Sequence, residues 1–193
     1  MSLSIKDLTK RFGDKVVFSG FSYDFPKKGL YLLKGDSGVG KTTLLRIISG
    51  LDTAYLGTVS GGGTTNVSYA FQEYRLFPTL TAIENVMISS RDESASDFEC
   101  AKEYLYRLGF TAEDMKLYPS ELSGGMKQRI SLARAFFSKA KILLLDEPTK
   151  ELDPTLSATV LAMITEEANK RLVIMVSHIE ADEEKISATK ILL

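Results

Sequence analysis

The chain has 193 residues, of which 44% are hydrophobic and 25% are charged, values typical of a globular protein that buries one sizeable core. Its formal net charge of -1 and pI near 6.0 give no overall basic field, which argues against nucleic acid as a partner. The single cysteine, Cys100, excludes an internal disulfide, and no apolar run approaches the roughly 20 residues of a membrane-spanning helix. The composition therefore predicts one cytoplasmic domain that does not cross a membrane alone.

The first part of the chain predicts short strands around one glycine-rich loop. Strands are predicted over residues 16–25 and 30–33, and the second runs directly into GDSGVGKTT at positions 35–43. A helix is predicted from 41 to 49, with Gly50 where a left-handed C-cap would lie. Two further strands follow near residues 57–60 and 67–71, separated by the turn GGGTTN.

After Pro78 the pattern becomes helical. Thr81 and Glu84 have the spacing of a capping box ahead of an apolar run. A second helix carries one apolar stripe that ends at Gly109: Phe98, Ala101, Leu105 and Leu108. Cys100 lies beside this stripe, and we expect it to be packed there.

The last part of the chain predicts strands that alternate with helices. A strand over residues 142–145 leads to a helix with Asp153 as N-cap and Pro154 in its first turn. The apolar side of that helix contains Leu156, Val160, Met163 and Ile164. A further apolar strand, LVIMV, covers residues 172–176. Continuously apolar short strands between helices predict an α/β fold with a parallel sheet covered on both faces.

One domain is predicted over residues 1–193, with its core at about 1–78 and 137–193 and an inserted helical subdomain at about 79–136. The acidic residues near the C-terminus are expected to form a solvated helix face: Glu180, Asp182, Glu183 and Glu184.

The segment GDSGVGKT fits the phosphate-loop pattern and lies between a predicted strand and a predicted helix. Its glycines let the backbone curl so that successive N–H groups point at phosphate oxygens, and the helix N-terminus adds a favourable dipole. Lys41 is expected to reach the β and γ phosphates, and Thr42 to ligate magnesium. The alternative is a glycine-rich turn that matches by chance, expected in about one such chain per hundred.

Three polar residues at the ends of predicted strands are candidates for the reaction. Asp146 follows the strand ILLL and is expected to hold magnesium, and Glu147 is the candidate base for an attacking water. His178 follows the apolar strand LVIMV, from where its imidazole could contact a γ phosphate. Taken alone, an apolar strand ending in Asp-Glu is common, and a lone histidine is usually structural.

The segment ELSGGMKQR at positions 121–129 completes a set of motifs. With GDSGVGKT, ILLLDE, Gln72 in YAFQEYRLFP, the pair Leu152-Asp153 and His178, it resembles the nucleotide-binding subunit of an ATP-binding-cassette (ABC) transporter. The resemblance covers nearly the whole chain. It implies a P-loop NTPase fold of the RecA-like type, with a mostly parallel sheet, flanking helices, an N-terminal antiparallel β part and the helical insert.

The resemblance also implies roles for individual residues. Lys41, Gln72, Glu147 and His178 would be catalytic, and magnesium would be held by Thr42, Gln72 and Asp146. The expected contacts to ATP are Phe12, Gly35, Asp36, Ser37, Gly38, Val39, Gly40, Lys41, Thr42 and Thr43, completed by Ser123, Gly124 and Gly125 of a second copy. The expected cofactors are therefore ATP and Mg²⁺.

The same resemblance implies partners and a location. Because LSGG would serve the nucleotide of another copy, we expect an ATP-dependent head-to-tail homodimer, or a heterodimer with a similar subunit. Separate transmembrane permease subunits would place the chain at the inner face of the cell membrane, without nucleic acid as a partner.

Two features depart from the family pattern, and two other functions stay open. Lys150 and Glu151 occupy positions where small residues are common, and Phe12 replaces a more frequent tyrosine. A soluble ABC ATPase acting on DNA or ribosomes usually carries long coiled-coil insertions or paired cassettes, which 193 residues do not accommodate. A regulatory module that binds ATP without hydrolysing it is the other alternative, and measuring ATP turnover with and without membrane partners separates it from a transport ATPase.

Overall fold

The computed structural model describes residues 2–90, 94–179 and 184–193. Its strands are β1 (Ser4–Phe12), β2 (Lys15–Asp24), β3 (Gly29–Lys34), β4 (Leu56–Ser60), β5 (Val67–Ala70), β6 (Ile142–Asp146), β7 (Leu172–Val176) and β8 (Thr189–Leu192). Its helices are α1 (Lys41–Ile48), α2 (Ala82–Met87), α3 (Ala95–Arg107), α4 (Gly124–Phe137) and α5 (Pro154–Ala168), with short 3-10 helices at Asp114–Lys116 and Pro119–Glu121. Within these ranges, no helix is long and apolar enough to span a membrane.

Five strands form a parallel sheet in the order β5-β6-β7-β3-β8. The central strands β6 and β7 are buried along their whole length, as expected for strands with apolar side chains on both sides. One face packs against α2 to α5 and the other against α1 and the antiparallel strands. The predicted α/β architecture is confirmed, and the carboxyl ends of β3, β6 and β7 meet at one edge of this sheet.

A separate antiparallel sheet has the order β2-β1-β4. It confirms the expected antiparallel part, although β1 itself was not predicted as a strand. The turn GGGTTN connects β4 in this sheet with β5 in the parallel one, so the two strands flanking it are not paired with each other.

The helices between residues 82 and 137 pack on the same side of the parallel sheet as α5. The capping box at the start of α2 is confirmed, since Glu84 N donates to the Thr81 hydroxyl at 3.5 Å and Thr81 N donates to Glu84 at 2.8 Å. These helices share one apolar core with the strands beneath them. The proposed division into a core and a helical subdomain stays a prediction.

Two expectations for α3 were wrong. Phe98 is 41% exposed, with Lys102 Nζ lying 5.5 Å from its ring centre, and Cys100 is also exposed. The buried line of α3 runs through Ala101 and Leu105 and, one turn earlier, through Asp97, which is 7% exposed. Because residues four apart share a helix face, Asp97 rather than Phe98 continues the buried stripe.

The predicted solvated acidic helix face lies mostly outside the described residues. Glu180, Asp182 and Glu183 all fall in the range 180–183. Glu184, which is described, is exposed.

Candidate functional site

The glycine-rich loop between β3 and α1 has a backbone that only glycine fits at its last position. Gly40 is the N-cap of α1, with φ of 118°. A Cβ placed there would lie 2.4 Å from Val17 Cγ1, closer than carbon atoms approach. Strand β2 therefore packs directly on the loop and fixes the start of α1, whose free N–H groups make an anion site.

Lys41 is held inside this loop. Its side chain is buried, and its Nζ donates to the carbonyl oxygens of Gly35 at 2.6 Å and Asp36 at 2.9 Å. Both acceptors are backbone groups of the loop. The ammonium group is thus positioned within the loop and lies in reach of any phosphate that the loop binds.

An open cavity of about 510 Å³ lies over the loop. Its lining includes these predicted nucleotide contacts and catalytic residues: Phe12, Ser37, Gly38, Gly40, Lys41, Thr42, Thr43, Gln72, Glu147 and His178. It also includes four residues that were not predicted: Lys15, Val17, Lys150 and Val176. Gly35, Asp36 and Val39 belong to the same loop without being lining residues of this cavity. Residues up to 166 positions apart in sequence (12 and 178) are therefore brought to one site.

Asp146 ends β6 beside this cavity and is 2% exposed. Its carboxylate accepts hydrogen bonds from the Thr42 side chain and from Tyr69 Oη at 3.1 Å. Burial raises the pKa of Asp146, and these two hydrogen bonds act in the opposite direction. Burial and the neighbouring Asp146 also raise the pKa of the Tyr69 hydroxyl, so Tyr69 stays a neutral donor. A hydroxyl next to a buried carboxylate is a set of hard oxygen ligands that suits Mg²⁺.

Glu147 follows with a left-handed backbone, φ 53°, and its N–H donates to Val176 O of β7 at 2.9 Å. A non-glycine residue in this region is strained by about 1 to 3 kcal/mol, and such strain tends to occur at functional sites. The carboxylate lies 3.4 Å from Gln72 Nε2 and 3.8 Å from His178 Nε2. Three of the predicted catalytic residues therefore meet at one point.

The LSGG segment forms the start of α4. Ser123 is its N-cap, and its hydroxyl accepts from Met126 N at 3.2 Å. Ser123 and Gly124 are exposed, and neither they nor Gly125 line the cavity over the phosphate loop. Within one chain, these residues stand apart from the other predicted nucleotide contacts.

Comparison with known proteins identifies the family. Residues 18–150 match the family described as ABC transporter. The chain belongs to the ABC transporter family. Among ABC relatives, the glutamine transport ATP-binding protein GlnQ of Escherichia coli (strain K12) is 34% identical over 209 residues, covering 99% of this chain and 87% of GlnQ.

A second ABC relative is longer than this chain. The sulfate/thiosulfate import ATP-binding protein CysA of Acinetobacter baylyi is 40% identical over 171 residues, covering 79% of this chain and 48% of CysA. The chain thus spans about half the length of the CysA relatives that it matches. Among solved structures, the dimeric structure of MJ0796, a bacterial ABC transporter cassette, aligns with a TM-score of 0.82 and 26% identity over 97% of this chain and 94% of MJ0796.

Some residues of this ABC site were not predicted from the sequence. Tyr69 lies on β5, next to β6 in the sheet, so its bond to Asp146 depends on a strand order that spacing does not reveal. Lys150 was noted only as a departure from the family pattern, yet its Nζ lies 2.7 Å from Glu147 Oε2. The spacing of three residues between Glu147 and Lys150 in a turn was the signal available for that contact.

Proposed function

We propose that this chain is the ATP-binding and ATP-hydrolysing subunit of an ABC transporter. The observation that carries the proposal is the convergence of Gln72, Glu147 and His178 on the cavity that also contains Lys41 and Thr42. A phosphate-binding loop alone supports nucleotide binding. A carboxylate and an imidazole beside it supply what hydrolysis requires.

ATP would bind with its phosphates over the loop and its adenine against Phe12. The Phe12 ring is 54% exposed at the end of β1, which leaves a face for stacking. Loop N–H groups and the start of α1 would hold the phosphate oxygens. Lys41 would exchange its bonds to Gly35 and Asp36 carbonyl oxygens for the more negative β and γ phosphates.

Mg²⁺ would be held by Asp146, Thr42 and Gln72 together with the phosphates. The oxygen donors of Thr42 and Asp146 are already in contact, which supports this assignment. When bound, the ion supplies positive charge against the negative charge that develops on the phosphates.

Glu147 is the residue proposed to accept a proton from the attacking water. As the water oxygen bonds to the γ phosphorus, its proton passes to the Glu147 carboxylate and the bond to the β-phosphate oxygen breaks. His178, whose imidazole faces Glu147, would contact the γ phosphate. The products are ADP and inorganic phosphate. The MJ0796 cassette has also been solved in a post-hydrolysis state bound to ADP and Pi, and that structure aligns with a TM-score of 0.79 and 26% identity over 93% of this chain and 89% of MJ0796.

The LSGG segment is proposed to complete the nucleotide site of a second copy. Ser123 and Gly124 are exposed at the start of a 14-residue helix and lie outside the cavity of their own chain. The dimeric MJ0796 structure supports an arrangement of two cassettes. We therefore propose a head-to-tail pair, homodimeric or with a similar subunit, that encloses two ATP molecules.

Transport would be coupled through separate transmembrane permease subunits at the inner face of the cell membrane. The proposed contact is a groove near residues 72–84, and it is supported by one apolar side chain within this range, that of Phe77, which is 48% exposed. The relatives named for sulfate/thiosulfate import and for glutamine transport differ in their cargo.

The variant Glu147→Gln tests the proposal. Removing the proton acceptor while keeping the side chain's size should lower ATP turnover by about 10²-fold or more. ATP binding should persist, and the blocked variant should form a dimer with MgATP, measured by sedimentation or light scattering. Near-normal turnover would remove the role of Glu147, and a wild-type chain that binds ATP without turnover would favour the regulatory alternative.

A further inference from the structure

The turn that follows β6 folds back onto Glu147. Lys150 N donates to Glu147 O at 3.4 Å, and the Lys150 side chain returns so that its Nζ lies 2.7 Å from Glu147 Oε2. Both residues line the cavity over the phosphate loop. Lys150 is therefore an ionic partner of the residue proposed as proton acceptor.

This contact occupies the oxygen that Gln72 also reaches. Gln72 Nε2 lies 3.4 Å from Glu147 Oε2, while His178 lies on the side of Oε1. The Glu147 side chain is 16% exposed and the Lys150 side chain 53% exposed. The Glu147 carboxylate is thus held in the site, whereas the exposed Lys150 side chain has room to move away from it.

The next residue in the same turn, Glu151, lies close to the LSGG segment. Tyr74 Oη donates to Glu151 Oε2 at 2.5 Å. A Cβ placed at Gly124 would lie 3.1 Å from Tyr74 Oη and 3.2 Å from Glu151 Oε2. A partner's phosphate that approaches Gly124 would therefore come close to the Glu151 carboxylate. Repulsion between these two negative groups would displace the turn that contains Glu151.

We propose that Lys150 is a positioning residue that restrains Glu147 in the unpaired chain and slows ATP hydrolysis until the turn moves. The inference rests on the proposed function, in which Glu147 accepts the proton from water. The ammonium group of Lys150 lies against one oxygen of the Glu147 carboxylate, so that oxygen is unavailable to water while the pair is formed. Arrival of a partner's nucleotide at LSGG would displace the turn and release the base.

The variant Lys150→Met tests the restraint, because it keeps most of the length of the side chain and removes its charge. Steady-state ATP turnover of the purified full chain should rise by about two- to fivefold, the size expected for an exposed ion pair, while KM stays within about twofold. The variant Lys150→Arg keeps a positive charge at this position, so its kcat should equal the wild-type value. A kcat of Lys150→Met equal to or below wild type would overturn the inference.

Lys116→Met is a matched control. Lys116 Nζ forms an ion pair with Glu113, also three residues earlier and at 3.0 Å, in a 3-10 helix outside the cavity. Its removal changes the net charge by the same amount. Turnover of this variant should match wild type, and a rise equal to that of Lys150→Met would assign the effect to net charge and overturn the inference.

A second measurement does not depend on hydrolysis. In Glu147→Gln the ion pair is lost, so acylation of Lys150 by a water-soluble amine reagent, followed by mass spectrometry, should be about twofold faster or more relative to Lys116. An unchanged ratio would overturn the inference and leave the proposed hydrolysis intact. If labelling rises but neither the wild-type chain nor Lys150→Met turns over ATP, the ion pair stands, while the proposed function fails and the rate effect fails with it.

Discussion

Two helix starts that are proposed to bind phosphate, Gly40 before α1 and Ser123 before α4, differ in what surrounds them. The first is packed by β2 and has Lys41, Thr42 and Glu147 around one cavity. The second is an ordinary serine N-cap with exposed residues and lies outside that cavity. The proposed phosphate contacts are therefore found at both helix starts, whereas the residues proposed for the reaction surround only the first.

This difference indicates that the two helix starts have different roles. A complete site needs donors on both sides of the γ phosphate, and one loop supplies only one side. The incomplete start at Ser123 is exposed, so it is available to another molecule. Substitutions at these two helix starts and at the start of α2 test this difference.

The largest expected effect comes from Lys41→Met, which removes the cation from the complete site. Turnover should fall by about 10²-fold or more because hydrogen bonds to a charged phosphate are lost. Affinity for ATP, measured by fluorescence or calorimetry, should fall as well. Lys116→Met serves as the control, and ATP affinity close to wild type in Lys41→Met would mean that this loop is not the main phosphate site.

An intermediate effect is expected from mixing two inactive variants. In a pair of one Lys41→Met chain and one Ser123→Arg chain, one site has both defects and the other has neither. Random pairing should restore up to about a quarter of wild-type turnover, since half of the pairs are mixed and each has one intact site. No recovery would argue that both helix starts serve the same chain.

The smallest expected effect concerns the start of α2, where Glu84 N donates to the Thr81 hydroxyl and the Glu84 carboxylate accepts from Thr81 N. Hydrogen bonds from Thr81 lower the pKa of Glu84 below 4.5. The stability they confer is thus complete above about pH 4.5 and is lost as the pH falls through the folded-state value. Glu84→Gln should reduce the free energy of unfolding by about 0.5 kcal/mol at pH 7 and by less at pH 4.

Urea denaturation of wild type and Glu84→Gln at both pH values measures this difference. A loss of stability that is equal at the two pH values would contradict the assigned role of the carboxylate. A change in ATP affinity at pH 7 would show that α2 contributes to the nucleotide site after all.

Much of the parallel sheet could be predicted because its central strands are continuous apolar runs. The strands at 142–145 and 172–176 and the helix starts at Lys41 and Asp153 were all found at or within one residue of their predicted positions. Strands β1 and β8 were missed. Neither contains a continuous apolar run like those of β6 and β7, and their pairing with β2, β4 and β3 gives them their structure.

The sequence by itself determined the local devices: the glycines that curl the phosphate loop, the caps that begin the helices and the carboxylates that end an apolar strand. Only the tertiary structure decided that Tyr69 bonds Asp146, that Lys150 pairs with Glu147 and that Ser123 stays outside the site of its own chain. The reason is physical. Backbone preferences act over a few residues, whereas the order of parallel strands and the direction of an exposed side chain are set by packing between segments that are distant in sequence.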